Sequence, residues 1–288
     1  MPAARHLAAL PVLALVANAF TWGVSWWPLR QLQGVGLHPL WSTALIFALA
    51  TLLIALRHGA AFGELRRTPG LWVVLLASGA TNACFNWAVA SGDVVRVVLL
   101  FYLMPLWAVL LARLLLGERA GRVALLRVAL ALAGAAIVLW PAEGAGLPLP
   151  RTRAEALGLL GGATFALNNV MLRRQAASGA AARALAMFLG GMTVALLLAL
   201  AGSAPWPPAL APGWVAGIAA LSLAFLAGNL ALQYGATRLP ANVTAVVMIT
   251  EVLFAAVSAF LLGASAASPA LLAGGALIVL AALLAARG

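Results

Sequence analysis

VVRVVLLFYLMPLWAVLLARLLL, residues 94 to 116, is the stretch that decides the fold. It has the roughly 20 apolar residues that a helix needs to cross the hydrocarbon layer of a bilayer. Pro105 interrupts it near its middle, one turn after Phe101 and Tyr102, and Gly117-Glu118 follows its end. Because proline lacks a backbone N–H and clashes with the preceding turn, this stretch predicts a membrane-spanning helix that bends at its centre.

A second stretch, Pro240 to Leu262, repeats this design. A shift of 146 positions superposes the pairs Pro105–Glu251, Tyr102–Met248, Val98–Thr244 and Gly117–Gly263. Two copies of one helix indicate that the chain contains two copies of one half-protein.

The composition places most of the chain in lipid. Of the 288 residues, 65% are hydrophobic and 8% are charged, whereas soluble domains carry about 25% charged residues. The formal net charge is +11, but every basic residue is an arginine, and most of them lie at the ends of apolar segments. This distribution favours a role in membrane topology over nucleic-acid binding. The one cysteine excludes an intrachain disulfide.

Hydropathy divides the chain into ten apolar segments, and Gly, Pro and Arg residues mark the boundaries between them. The first five are Leu7–Trp27, Pro39–Leu56, Leu71–Ala90, Val94–Leu116 and Val123–Trp140. The last five are Ala156–Leu172, Arg183–Ala201, Trp214–Gly235, Pro240–Leu262 and Pro269–Ala286. The first apolar run is too long for the core of a signal peptide, which favours a retained first span.

These segments predict three regions: a first five-helix repeat at residues 1–141, a Pro/Gly-rich connector at 142–155, and a second repeat at 156–288. Because five is an odd number, the second repeat enters the membrane in the opposite orientation. The predicted fold is an all-α integral membrane protein with ten transmembrane helices, arranged as two inverted repeats around a central cavity.

The arginines predict the orientation. If the N-terminus is cytoplasmic, only Arg30, Arg96, Arg151 and Arg153 lie outside, and the other 13 of the 17 basic residues lie inside. This is a strong positive-inside bias, so both termini are expected in the cytoplasm. On the outer side, Asp93 and Arg96 are three residues apart and are expected to form an ion pair.

Glu251 is the acidic residue that falls deep within a predicted span. A charged side chain at that depth costs on the order of 3 kcal/mol and marks a functional site by default. It could balance the charge of a substrate amine or carry a proton, and the alternative is a hydrogen bond that joins two helices.

Other polar and aromatic side chains fall at helical spacing on the same set of segments. We expect the central cavity to be lined by Asn18, Trp22, Asn82, Asn86, Phe101, Tyr102, Pro105, Asn168, Asn229, Gln233, Thr244, Met248 and Glu251. The alternative is that the amides only join neighbouring helices, at about 0.6 kcal/mol for each hydrogen bond.

Catalytic signatures are absent from the sequence. It has no HExxH, phosphate-binding glycine loop or serine nucleophile elbow, and its three histidines lie at the ends of predicted spans. We therefore expect no enzymatic activity, no metal and no cofactor.

The order of these features resembles the drug/metabolite transporter superfamily, in its EamA-type branch. The resemblance rests on Thr21-Trp22-Gly23, on the proline-centred fourth segment ending in LLLGE, on the glycine-rich fifth segment and on the second copy. The chain is also similar to YddG-type aromatic amino acid exporters of bacterial inner membranes. It departs from a symmetric pattern where Ala264 replaces the acidic residue equivalent to Glu118, and where Glu251 replaces the proline equivalent to Pro105.

The resemblance implies a multi-pass protein of the bacterial inner membrane that exports aromatic and other neutral amino acids, and related metabolites, by alternating access. Its partners would be a small-molecule substrate and the lipid bilayer, without nucleic acid, and it would function as a monomer. One alternative is a multidrug or lipophilic-cation exporter of the same superfamily. An alternative of another class is a non-transporting membrane scaffold or an intramembrane enzyme.

Overall fold

The computed structural model describes residues 2–117, 121–140, 149–236, 238, 247–248 and 250–286. Within these residues all regular secondary structure is helical. The helices of the first half are α1 (Pro2–Val24), α2 (Trp26–Gly34), α3 (Pro39–Arg57), α4 (Ala61–Arg67), α5 (Pro69–Ser91), α6 (Val94–Phe101), α7 (Met104–Leu116) and α8 (Arg122–Leu139). Those of the second half are α9 (Arg153–Arg174), α10 (Ala180–Leu198), α11 (Pro212–Ala236), α12 (Thr250–Leu261) and α13 (Pro269–Ala286), with a π-helical turn, Ala199–Ser203, after α10.

Within the described residues, six helical segments are long and apolar enough to cross a membrane. They are Leu10–Gly34, Pro39–Arg57, Pro69–Ser91, Val94–Leu115, Ala180–Gly202 and Pro212–Leu232. Val128–Leu139, Thr250–Leu261 and Pro269–Ala281 are shorter apolar helices. The chain is therefore an all-helical integral membrane protein.

The first segment extends further than the sequence predicts. Instead of ending at Trp27, the helix breaks after Val24 and continues as α2 to Gly34. It stops where Gly36 adopts a φ of 90°, a conformation that disfavours other residues. Arg30 consequently lies within α2, where its guanidinium donates to the carbonyls of Ala90 and Gly92 at the end of α5.

The proline-centred segment is divided, as its sequence predicts, into α6 and α7. Pro105 is the second residue of α7 and cannot donate to the Phe101 carbonyl, so the helix is interrupted at Tyr102 and Leu103. The residues that follow α7 and α12 have the same backbone conformation at equivalent glycines. Gly117 and Gly263 have φ values of 70° and 66°, directly after the last turns of α7 and α12.

Half of the connector predicted at residues 142–155, namely residues 142–148, lies outside the described residues. Helix α9 begins within the other half, at Arg153. Most of the chain that leads into α12, including Thr244, also lies outside them.

Close helix crossings occur at glycine, as expected for membrane helices. Helices α5 and α10 meet at Gly79 and Gly190, where a Cβ on either residue would overlap backbone of the other helix. Helices α8 and α13 cross at Gly134 and Gly274, and a Cβ on each glycine would lie 2.6 Å from the carbonyl oxygen of the other. The backbones of these helix pairs are therefore in direct contact.

We predict that Gly190→Ala lowers the thermal stability of the detergent-purified protein, by the equivalent of about 1–3 kcal/mol, because the added methyl group meets the Leu75 backbone. Gly213→Ala is the matched control, since a Cβ there has no atom within 4 Å. A thermal aggregation assay should leave the control unchanged or slightly stabilised. Equal stability of the two variants would contradict the crossing.

Candidate functional site

Tyr102, at the break between α6 and α7, contacts Met248 and Glu251 at the start of α12, and we call this the central contact. The Tyr102 hydroxyl lies 3.1 Å from Oε2 of Glu251 and 3.3 Å from the backbone oxygen of Met248. Tyr102 and Glu251 are both buried. Tyr102 and Met248 are the equivalent residues of the two repeated stretches, so the contact joins the same position in both copies.

The hydroxyl of Tyr102 carries one proton, so it donates to only one of these two oxygens at a time. A protonated Glu251 donates to the Tyr102 oxygen, and Tyr102 then donates to the Met248 carbonyl. An ionised Glu251 instead accepts the hydrogen bond from the Tyr102 hydroxyl, and the Met248 carbonyl loses this donor. The protonation of Glu251 is therefore linked to the hydrogen bonds between the α6–α7 break and the start of α12.

Glycine lets two further helices approach the central contact. A Cβ at Gly162 of α9 would overlap the Phe101 carbonyl, the group that Pro105 leaves without its helical donor. A Cβ at Gly23, in the Thr21-Trp22-Gly23 motif of α1, would lie 2.8 Å from the Glu251 carbonyl oxygen. Helices α9 and α1 are thus packed directly against the backbone of α6 and α12.

Aromatic side chains pack beside this contact. The Trp22 ring stacks on Phe225, with centroids 4.4 Å apart, and meets Phe85 edge-on at 6.4 Å. Phe85 in turn lies 4.9 Å from Phe101, whose centroid is 5.4 Å from that of Phe165. Trp22 and Phe101, both predicted to line the cavity, are therefore joined through Phe85 in one aromatic cluster.

Three of the predicted asparagines, Asn18, Asn86 and Asn168, are buried with side-chain oxygens that have no hydrogen-bond partner among the described residues. The Asn18 amide nitrogen lies 3.5 Å from the Met248 sulfur. The Asn86 amide donates to Thr43 at 3.0 Å. A buried amide oxygen without a partner is uncommon and calls for a donor.

The remaining predicted residues are distributed differently. Asn82 donates within its own helix to the Ser78 carbonyl at 2.8 Å, and Asn229 is half-buried on α11. Pro105 is placed only by its backbone in α7, Gln233 only by its backbone in α11, and Thr244 lies outside the described residues.

A pocket of about 660 Å³ lies away from the predicted residues, between the ends of α2 and α5 and the start of α9. Its walls include Gln33, His38, Trp87, Ser91, Arg153 and Glu155. We call it the Trp87 pocket. Its polar residues lie at the ends of predicted spans, where the sequence pattern indicates loops, so sequence reasoning missed it.

The expected ion pair between Asp93 and Arg96 is wrong. Arg96 instead binds Glu155, with 2.8 Å between Nη2 and Oε1. The Asp93 carboxylate caps α6 by accepting from the Arg96 backbone N–H. The preference of a helix N-terminus for a carboxylate acceptor explains the change, since it leaves the Arg96 side chain available to the other half.

The part of the chain that the structure describes contains no group of three or more His, Cys, Asp or Glu side chains placed to hold a metal.

Comparison with known proteins bears on the first half of the chain. Residues 9–140 match the EamA-like transporter family. The match covers just under half of the chain.

The chain is also 40% identical over 95 residues to an uncharacterized transporter of Pseudomonas aeruginosa. The aligned region covers 32% of this chain and 32% of that relative. A protein of known crystal structure aligns over 96% of this chain and 95% of its own, with a TM-score of 0.59 and 21% sequence identity, which shows a shared fold alone. The family and the relative are both described as transporters.

We predict that Tyr102→Phe destabilises the purified protein by about 1–3 kcal/mol, because it leaves the buried Glu251 carboxyl without its partner. Thr68→Val is the control, since it also removes one hydroxyl, and the Thr68 side chain makes no cap hydrogen bond to α5. The measurement is the thermal unfolding midpoint in detergent. A Tyr102→Phe midpoint no lower than that of the control would rule out an energetic role for the central contact.

Proposed function

We propose that the chain is a ten-helix transporter of two inverted repeats that exports aromatic and other neutral amino acids by alternating access. It would act as a monomer in a bacterial inner membrane, with both termini cytoplasmic. The observation that carries the proposal is the buried Glu251 carboxyl, bound by Tyr102 where the two repeated stretches meet.

The helix packing supports the inverted repeat. Exchanging the halves replaces α1 by α9, α3 by α10, α5 by α11, α6–α7 by α12, and α8 by α13. Helix α5 packs on α9 as α11 packs on α1, and α6 packs on α9 as α12 packs on α1. Helix α10 packs on α5 as α3 packs on α11, while α8 packs on its own equivalent, α13. These pairs of packed helices are thus interchanged by the exchange, whereas the contact between α3 and α5 has no equally extensive counterpart between α10 and α11 among the described residues.

Two further contacts lie close to where a twofold relation between the proposed halves would place them. Gly134 and Gly274 meet each other's carbonyls at the same distance, and Tyr102 contacts its sequence equivalent, Met248. Gly134 and Gly274 are 140 positions apart. The similar stretches AGAAIVL (Ala133–Leu139) and GGALIVL (Gly274–Leu280) are 141 positions apart, so the two glycines are one residue away from sequence equivalence. Inverted repeats that cross at their midpoints suit alternating access, because each half can adopt the other's conformation.

The groups around the central contact suit an amino acid. An ammonium group donates three hydrogen bonds and has no acceptor. The predicted residues offer as acceptors the Glu251 carboxyl and the amide oxygens of Asn18, Asn86 and Asn168, which have no partner among the described residues. An amide nitrogen such as that of Asn168 can donate to a substrate carboxylate. Trp22 and Phe101 would contact an apolar or aromatic side chain.

Transport should be measured with the purified protein in liposomes. We expect uptake of labelled phenylalanine and other neutral amino acids above that of protein-free liposomes. No uptake of any amino acid in the panel would disprove the proposed substrate class.

The same assay tests whether Glu251 carries a proton. We predict that Glu251→Gln abolishes the response of transport to an imposed pH gradient and leaves substrate exchange intact. Glu64→Gln is the control, because Glu64 lies on α4 between predicted spans and accepts a hydrogen bond from the Gly179 backbone. A pH response that survives in Glu251→Gln would restrict Glu251 to a binding or structural role.

Glu251 among aromatic rings also suits a lipophilic cation, so the second candidate function is a multidrug exporter of the same superfamily. Cationic dyes that compete with amino acids for transport would favour a shared site, and dye transport without amino acid transport would favour the second candidate. The third class is less well supported. An intramembrane enzyme would need a second catalytic group near Glu251, and a scaffold would need no inverted repeat.

A further inference from the structure

The Trp87 pocket lies apart from the central contact and combines residues of both halves. His38, Trp87 and Ser91 come from the first half, whereas Arg153 and Glu155 begin α9 of the second. Its volume of about 660 Å³ falls within the range of about 300–1,000 Å³ that is typical of small-molecule sites.

The carboxylates at this pocket are already bound by the protein. One oxygen of Glu155 accepts from the Arg96 guanidinium at 2.8 Å, and the other accepts from the Arg151 backbone N–H at 2.8 Å. Asp93 Oδ1 accepts from the Arg96 backbone and from the Ser265 hydroxyl, both at 2.9 Å. Both oxygens of Glu155 and one oxygen of Asp93 therefore have internal donors, which reduces the attraction of these acids for a cation.

Arg153 is the charged group at this pocket that remains available. Its guanidinium lies over the Trp87 ring, 5.4 Å from the centroid, and forms no hydrogen bond or ion pair with another described residue. Its side chain is exposed at the pocket wall. A guanidinium placed in this way presents paired N–H donors that match a carboxylate.

His38 supplies a second donor beside the same indole. Its ring meets Trp87 edge-on, with centroids 4.8 Å apart, and its Nδ1 accepts from the Leu40 backbone N–H. Burial lowers the pKa of the His38 imidazole, and the charge of Arg153 lowers this pKa further. The ring is therefore neutral at pH 7, with its proton on Nε2.

We propose that the Trp87 pocket binds a small organic acid, with Arg153 and the Nε2–H of His38 donating to its carboxylate and Trp87 packing against its apolar part. The ligand would join the two halves, because Arg153 lies on one and His38 on the other. This site differs from the central contact in its chemistry, since the available charge is positive here and acidic there.

Isothermal titration calorimetry with the purified chain in detergent tests this proposal. The probe is 3-phenylpropionate, which has the carboxylate and ring of phenylalanine but no amine for Glu251 to bind. We expect saturable binding of 3-phenylpropionate and no binding of phenethylamine, which lacks the carboxylate, at this pocket.

Two substitutions test the donors. Arg153→Gln should weaken binding about tenfold or more, because it removes a charge-assisted pair. His38→Asn should also weaken binding, and asparagine can still cap α3 as the Nδ1 of His38 does. Arg151→Gln is the matched control: Arg151 is exposed two residues away, and its backbone N–H is unaffected by the substitution.

A labelling experiment tests the location. Ser91 lines the pocket, and the native Cys84 is buried, so a thiol introduced by Ser91→Cys should react with a maleimide above a low background. We expect 3-phenylpropionate to protect this thiol. It should not protect one introduced by Ala177→Cys, at an exposed position between α9 and α10.

The proposal is overturned by any of three results: no saturable binding, equal affinity in the Arg153→Gln and Arg151→Gln variants, or equal protection at both introduced thiols. It is independent of the proposed substrate. Binding of 3-phenylpropionate that depends on Arg153 would support this site even if no amino acid were transported. Conversely, amino acid transport without that binding would not support it.

Discussion

The contact of backbone with backbone at glycine is the constraint on which this structure depends. Lipid is as apolar as leucine, so membrane helices gain little from burying apolar side chains and associate through close packing and hydrogen bonds. Gly134 and Gly274 let α8 and α13 touch across the two halves, and Gly162 brings α9 onto the carbonyl of Phe101. Substituting a larger residue at any of these positions would separate helices that also position the central contact.

The glycine crossing between α1 and α12 brings polar groups of the two helices close together. Gly23 holds α1 against the Glu251 carbonyl, which places Asn18 of the same helix beside Met248. In that apolar setting a hydrogen bond between Tyr102 and Glu251 has little competition from water, so losing either partner leaves a buried polar group unsatisfied. The fold thus concentrates titratable and amide groups where the two repeated stretches meet.

Much of the fold follows from local sequence. Runs of apolar residues locate most helices to within a few residues, and Pro105 locates the break between α6 and α7. Contacts between side chains that are distant in sequence cannot be predicted in this way. Arg96 pairs with Glu155 on another helix, although Asp93 is its charged neighbour in sequence. The Trp87 pocket was missed for the same reason, because its residues come from four separate chain segments and acquire a common role only when the helices pack.

The repeat also explains why Glu251 has its particular environment. Its equivalent, Pro105, needs no polar partner and frees the Phe101 carbonyl, and the broken helix then presents Tyr102 at the crossing. In the proposed second copy, Glu251 stands at the position of this proline and binds the Tyr102 hydroxyl. With proline at both positions, Tyr102 would have no carboxyl partner, and the tyrosine would be the one titratable group of the central contact. The departure from the proposed sequence symmetry therefore supplies the acid at this contact.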